Sequence, residues 1–328
     1  MPKAIRFHTT GAPEVLRFED VAIGAPGPGE VRMRNAAVAV NYRDILVRRG
    51  VHRVATLPSG IGLESAGTIE AIGDDVSDLS VGQRVACVAG PDGAYAEHRI
   101  VPAARVVPLP AAIDARTAAA MMIRGMTARY LLHETFRVQA GDTILMHAAA
   151  GGVGLIMCQW ARHLGATVIG TVGSADKAAI ARAHGCDFPV VLNPADPEDF
   201  VARVRAFTGG KGVRVVYDSI GRATFEGSLQ CLARRGVLAS FGEASGDPEP
   251  IAPRRLGALG SLFVTHPSLG DYTATRADLL ATANHLFDMV ASGRIRIAIS
   301  AEYPLHDAAR AHADMEARRT TGSIVLMA

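Results

Sequence analysis

The sequence predicts an α/β chain, with a doubly wound parallel sheet beside a compact, mostly β domain. Three observations carry this expectation. From about Gly141 onward, apolar β-branched runs alternate with amphipathic helical segments, the pattern of a parallel sheet covered on both faces. The first third instead holds short strand-like runs separated by Gly, Pro and Asp, as in a barrel or rolled sheet. The 328 residues suffice for two domains, each with its own core.

Taken in order, "EVRMRNAAVAV" alternates in a strand rhythm after the turn-forming "GAPGPG". "ESAGTIEAIG", "QRVACVAG", "AYAEHRIV" and "ARVVPLP" continue the β-rich region. After Pro110, "DARTAAAMMIRGMTARYLLHETF" is helical in composition, with a break expected near Gly125. The strands "TILMHA", "TVIGTV", "VVLN", "VRVVYDSI" and "GVLASFG" then alternate with four helices. These are "GLIMCQWARHLG", "ADKAAIARAHG", "PEDFVARVRAFTGG" and "ATFEGSLQCLARRG". Beyond Pro267, the helix "ATRADLLATANHLFDMVASG" and the strand "GSIVLM" return to the first domain. The expected divisions are 1–123, 124–266 and a return segment 267–328.

Composition excludes several function classes. The formal charge of +2 comes from 34 basic and 32 acidic residues with no Lys/Arg block, so no nucleic-acid partner is expected. No apolar run approaches the ~20 residues of a membrane span, and the N-terminus has no apolar signal core. Cys87, Cys158, Cys186 and Cys231 are scattered, which suits small buried residues in a reducing cytoplasm better than disulfides or zinc.

The chemistry begins at "HAAAGGVGLIMCQW". Ala149, Gly151 and Gly154 fill the three positions of a G-x-G-x-x-G loop, with Gly152 added, between an apolar strand and a helix starting near Val153. Gly151 and Gly152 let the backbone approach a pyrophosphate, and Gly154 lets the helix pack on its strand. Ala149 slightly relaxes the first turn. An NAD site expects a carboxylate at the end of the second strand, on the ribose 2′-OH. Here that end reads "TVGSADK": Gly173 and Ser174 leave room, Lys177 supplies charge, and Asp176 belongs to the following helix. The pattern favours NADPH.

These segments resemble the medium-chain dehydrogenases/reductases, and within them the zinc-independent NADPH:quinone oxidoreductases, the zeta-crystallin-like group. "VRVVYDSIGR", "SFGEASG" and "GSLFVTHPSLGDY" extend the resemblance essentially end to end. It implies a Rossmann domain with a GroES-like barrel domain. It also implies that Asn41, Tyr42 and the residues up to Leu46 line the nicotinamide end and the acceptor. Tyr130, Gly152, Val153, Gly173, Lys177, Ile220, Phe241 and Arg318 are implied NADPH contacts, although Arg318 reads equally well as a helix-end arginine. The zinc-dependent relatives use an early Cys and a G-H-E histidine. This chain has "NYRD" and "GLE", with Leu63 in place of the histidine, and Cys87 stands alone in the region of the four-cysteine lobe.

Without a Lewis acid an ordinary alcohol is a poor substrate, whereas a quinone delocalises incoming charge itself. The expected activity is therefore NADPH-dependent quinone reduction. Two further readings are open: a reductase of α,β-unsaturated carbonyls (a haloacrylate-type enzyme included), and a nucleotide-binding protein with a structural or RNA-binding role. No catalytic acid is singled out, since solvent can protonate a quinone oxygen. Two positions depart from the family pattern. Leu46 replaces a tyrosine of the quinone site, and Asn193 is followed by Pro194 where the family has Asn-Tyr. The resemblance also implies a homodimer built through "SLFVTH".

Overall fold

The computed structural model of the protein describes residues 1–88, 90–193, 195–196 and 199–328; Pro194, singled out above, lies outside these. The first strands are β1 (Lys3–Phe7), β2 (Leu16–Asp20) and β3 (Glu30–Ala39), followed by helix α1 (Tyr42–Arg49). Then come β4 (Ser59–Gly60), β5 (Ser65–Ile72), β6 (Arg84–Cys87), β7 (His98–Pro102), β8 (Val106–Pro108) and α2 (Ala115–Tyr130). An alternating stretch follows: β9 (Thr143–Met146), α3 (Gly152–His163), β10 (Thr167–Val172), α4 (Ala175–Ala183), β11 (Phe188–Val191), α5 (Asp199–Phe207) and β12 (Val213–Asp218). It continues with α6 (Phe225–Cys231), β13 (Leu232–Ser240), α7 (Pro253–Ala258), β14 (Phe263–Thr265) and α8 (Leu269–Tyr272). The chain ends with α9 (Arg276–Ala291), β15 (Ile299–Pro304), α10 (Ala308–Glu316) and β16 (Ser323–Met327).

Two compact units result. The first comprises Met1–Met126, Thr273–Ala291 and Ile297–Ala328, and the second comprises Thr127–Tyr272 with Ser292–Arg296. In the first, β3 is the organising strand, pairing antiparallel with β5, β7 and β16. Its core gathers Phe7, Val38, Tyr95, Leu305, Ile324 and Leu326, so residues near both ends of the chain share one cluster. Among the described residues, no helix is long and apolar enough to cross a membrane.

The second unit is a six-stranded, wholly parallel sheet ordered β11-β10-β9-β12-β13-β14. This is the doubly wound order whose reversal lies beside β9, where such sheets bind ligands at the carboxyl ends of the strands. Leu145, Ile169, Val190, Val216 and Leu238 put the strands into a core covered by Phe200 and Leu229 of the helices.

Two sequence expectations are corrected. Helix α2 does not break at Gly125 but runs through it. A Cβ there would lie 2.5 Å from Leu286 Cδ1 of α9, so the glycine permits close helix packing instead of ending the helix. The helix expected over 223–236 stops at Cys231, and "LARRG" enters β13. Pairing to β12 overrides the helical composition, with a register shift between Val213 and Val215 and Arg235 at φ 59° accommodating the extra residues.

Candidate nucleotide-binding site

At the carboxyl end of β9 the chain turns sharply into α3. Gly151 N–H donates to Ala148 O (2.8 Å), and Leu155 N–H donates back to Gly151 O (2.9 Å). The first-turn amides of α3 lack intrahelical acceptors and present the positive end of the helix dipole to an anion. Gly154 is required sterically, since a Cβ there would lie 2.4 Å from Ala148 O and 2.8 Å from Ala149 Cα. A close-packed glycine beside free helix amides is the cradle a pyrophosphate needs, so the residues present fit a dinucleotide.

The expectation for Ala149 is sharpened. Its side chain is buried, and a Cβ at Gly170 of β10 would lie 2.6 Å from its own Cβ. The methyl group is accommodated because the neighbouring strand offers a glycine. Backbone strain sits one residue earlier, at Ala148, whose φ of 54° is left-handed and costs a non-glycine residue about 1–2 kcal/mol.

At the end of β10, a Cβ on Gly173 would meet nothing within 4 Å, so this strand end is open. Ser174 is the N-cap of α4, its Oγ accepting from Lys177 N–H at 3.3 Å. Lys177 lies in the first turn of α4, as does Asp176, which therefore does not stand at the strand end. Beyond β12, Ile220 and Gly221 donate their N–H groups to Asp218 Oδ1 (2.8 and 3.1 Å). Phe241 N–H, past the end of β13, donates to Asp218 O (2.8 Å). Gly151, Gly152, Val153, Gly154, Gly173, Ser174, Lys177, Ile220 and Phe241 thus all follow carboxyl ends of strands β9, β10, β12 and β13. Tyr130 is placed differently, buried and stacked on Tyr272 with centroids 4.3 Å apart.

In the first unit, Asn41 caps α1, and its own N–H donates to Asp44 Oδ2 (2.8 Å). Its carboxamide Nδ2 donates to Glu64 Oε1 (2.8 Å). Glu64 is fully buried and also accepts from Ile123 N–H (2.7 Å) and the Arg124 guanidinium (3.1 Å), which reaches Val40 O as well. Burial pushes the Glu64 carboxyl up and Arg124 opposes the shift. Because Glu64 is surrounded by donors, it orients the amide of Asn41 with Nδ2 inward.

Asp44 begins a second buried chain. Tyr95 O–H donates to its Oδ2 (3.0 Å), Tyr95 lies 3.0 Å from His312 Nε2, and Arg48 approaches His312 Nδ1 at 3.3 Å. Arg48 can only donate, so Nδ1 accepts and the imidazole proton is on Nε2. Arg48 is itself fully buried, and its Nη2 donates to both carboxylate oxygens of Glu316 (2.8 Å each). Burial pushes the Asp44 carboxyl up to about 7, against hydrogen bonds from Asn41 and Tyr95, while burial lowers His312 to about 3. Asp44 Oδ1 makes no hydrogen bond among the described residues.

Tyr42 opens α1 half-buried, and Leu46 is buried in it. Arg318 follows α10 at φ 56°, where its N–H donates to Met315 O and Arg319 N–H donates to Asp314 O, a helix-terminating turn. Leu63 offers no ligand atom beside Glu64, and no cluster of three His, Cys, Asp or Glu among the described residues could hold a metal. Glu64, Arg124, Tyr95 and His312 were not identifiable from sequence. "GLE" and "NYRD" contain two of the acids involved, but Arg124 lies 60 residues from Glu64 and Tyr95 lies 51 from Asp44 along the chain.

Comparison with known proteins identifies the family. The alcohol dehydrogenase GroES-like domain family matches residues 27–111, and the zinc-binding dehydrogenase family matches 152–284. A quinone oxidoreductase of Pseudomonas aeruginosa is 48% identical over the full length of both chains. A 2-haloacrylate reductase of a Burkholderia species is 44% identical over 100% of this chain and 99% of its own. The crystal structure of Escherichia coli quinone oxidoreductase complexed with NADPH superposes with a TM-score of 0.96 at 43% identity, covering 99% of this chain and 100% of that one.

Proposed function

The chain belongs to the quinone oxidoreductase family of medium-chain dehydrogenases/reductases and is an NADPH-dependent oxidoreductase, and we propose that it reduces quinones without a metal. The observation that carries the cofactor is the β9–α3 turn, where Gly154 admits no side chain and the helix amides stand ready for a pyrophosphate. When bound there, the cofactor's nicotinamide would supply the reducing equivalents, as hydride or electrons, for a conjugated carbonyl.

The chain's own residues bind and orient. Lys177, in the first turn after the open strand end at Gly173, takes the 2′-phosphate at the β10 side of the loop. Ile220 and Phe241, which follow β12 and β13 on the other side of the loop, would hold the part of the dinucleotide beyond the pyrophosphate. Asn41, its amide fixed by Glu64, remains part of the proposed cofactor and acceptor sets. Burial raises the Asp44 carboxyl to about 7, so it gains and loses a proton within the neutral range. Tyr130 and Arg318 remain part of the proposed cofactor set, and Tyr42 and Leu46 of the acceptor set.

Consumption of NADPH with benzoquinone, phenanthrenequinone and a simple enone tests the assignment. Rapid turnover of both quinones is expected. Turnover of the enone alone would favour the second reading, an α,β-unsaturated carbonyl reductase, which the apolar Leu46 and the 2-haloacrylate reductase relative support. NADPH binding without turnover of any acceptor would refute both. Lys177→Ala is expected to raise the dissociation constant for NADPH roughly 10- to 100-fold, the effect of one charge-assisted hydrogen bond, and that for NADH less than about twofold. Equal effects on the two cofactors would refute the 2′-phosphate assignment.

A homodimer is part of the same proposal. β14 is the edge of the parallel sheet and leaves Phe263 60% exposed, a surface a second copy would cover. Light scattering that gives the mass of one chain at micromolar concentration would refute it.

A further inference from the structure

The carboxyl ends of β10, β9 and β12 are tied together by buried side chains that the proposed function leaves unused. His147 has no exposed surface, and its ring packs edge-on against Phe200 with centroids 5.2 Å apart. Its Nδ1 lies 2.8 Å from Thr171 Oγ1 and its Nε2 2.9 Å from Ser228 Oγ. Ser228 O–H donates to Asp218 Oδ2 (2.9 Å), and Thr224 O–H also approaches the Asp218 carboxylate.

The direction of this chain is determined. A hydroxyl has one proton, and Ser228 gives its proton to Asp218, so Ser228 Oγ accepts from His147. The imidazole proton is therefore on Nε2, and Nδ1 accepts from Thr171 O–H. Burial disfavours the charged imidazolium, with Asp218 opposing. Ser, His and Asp do not form a nucleophilic triad here: Ser228 is fully buried, and His147 donates to it instead of removing its proton.

Both ends of the chain reach the cofactor-binding backbone. Thr171 O accepts from Ala149 N–H (3.0 Å), anchoring the phosphate loop. Asp218 Oδ1 accepts from Ile220 and Gly221 N–H, shaping the turn after β12. We infer that His147 is a positioning residue for the cofactor, holding the 219–221 turn through Ser228 and Asp218 and the base of the phosphate loop through Thr171. This rests on the NADPH reading above.

Ser228→Ala cuts the chain gently, because Thr224 still satisfies Asp218. Titration of the full chain is expected to show the NADPH dissociation constant raised about fivefold to tenfold, as for one lost neutral hydrogen bond, while adenosine 2′,5′-bisphosphate changes less than about twofold. The bisphosphate carries the 2′-phosphate and one phosphate of the pyrophosphate, so it reaches the Gly173–Lys177 end and the β9–α3 loop but not the 219–221 turn, and a general loss of structure would weaken both ligands alike. Equal weakening of the two, or of neither, overturns the inference. Absence of NADPH binding by the unmodified protein overturns the cofactor reading and the inference with it. Nitrogen NMR of the unmodified protein at neutral pH provides a test independent of any variant. A neutral His147 with its proton on Nε2 is expected, and a protonated ring or the Nδ1–H tautomer overturns the assignment.

Discussion

Gly154→Val is expected to abolish NADPH binding, with the dissociation constant raised more than about 100-fold. The first side-chain carbon would lie 2.4 Å from a carbonyl oxygen and 2.8 Å from two backbone carbons of the preceding turn. None of these is the end of a flexible side chain, so α3 must move away from β9 or the loop must open. Either displacement carries the first-turn amides away from the pyrophosphate, and both the dipole and the hydrogen bonds act only at close range. Gly257→Ala in α7 is the matched control: its added Cβ meets nothing within 4 Å, and alanine is favoured over glycine in a helix by about 0.5–1 kcal/mol. That variant should bind NADPH as the unmodified chain does. Titration by cofactor fluorescence checks both, and a Gly154→Val protein binding within twofold of the original would refute the cradle.

Arg124→Met should destabilise the fold by about 3–5 kcal/mol at pH 8, because it strands the Glu64 carboxylate inside the protein. The loss should be smaller at pH 5, and the sign follows from the direction of the Glu64 shift. Burial already raises this carboxyl above its ordinary value, and Arg124 is the main influence holding it down. Without Arg124 the folded-state value rises further above the unfolded one. Such a group contributes fully below the unfolded value, and stability is lost as pH rises through the interval between the two. Denaturant unfolding at pH 5 and pH 8 measures the difference, and equal destabilisation at both would refute a charged Glu64. The companion change Arg124→Met with Glu64→Gln removes the stranded charge and should recover most of the loss at pH 8. Asn41 adds a functional consequence: with its acceptor disturbed, the amide loses its fixed orientation.

Much of the nucleotide unit was legible because its signals are local. A strand of four to six residues, a glycine turn and an amphipathic helix recur within some thirty positions, and each can be read from neighbouring residues. The same locality explains the missing carboxylate after β10, replaced by Gly173, Ser174 and Lys177. Local reading failed where a distant partner decided the outcome. Gly125 looked like a helix breaker because Leu286, which needs its missing side chain, is 161 positions later. "LARRG" looked helical because pairing with Val213 and Val215 is invisible in its own composition. Ala149 looked like a slight loosening of the loop, whereas Gly170 on the next strand makes room for it and the strain falls on Ala148.

By itself, then, the sequence determined the parallel-sheet unit, the glycine-rich strand-to-helix turn, the absence of a carboxylate at Gly173 and Ser174 and the lack of a zinc-ligating residue at Leu63. These depend on the short-range periodicity of strands and helices and on which atoms a side chain carries. Only the tertiary structure decided which partners meet the buried polar side chains: Glu64 and Arg124 with Asn41, Tyr95 and His312 with Asp44, and His147 between Thr171 and Ser228. Those pairings join residues 23 to 217 positions apart. A buried polar group is stable only when such a partner meets it, and chain folding, not sequence neighbourhood, sets which partner that is.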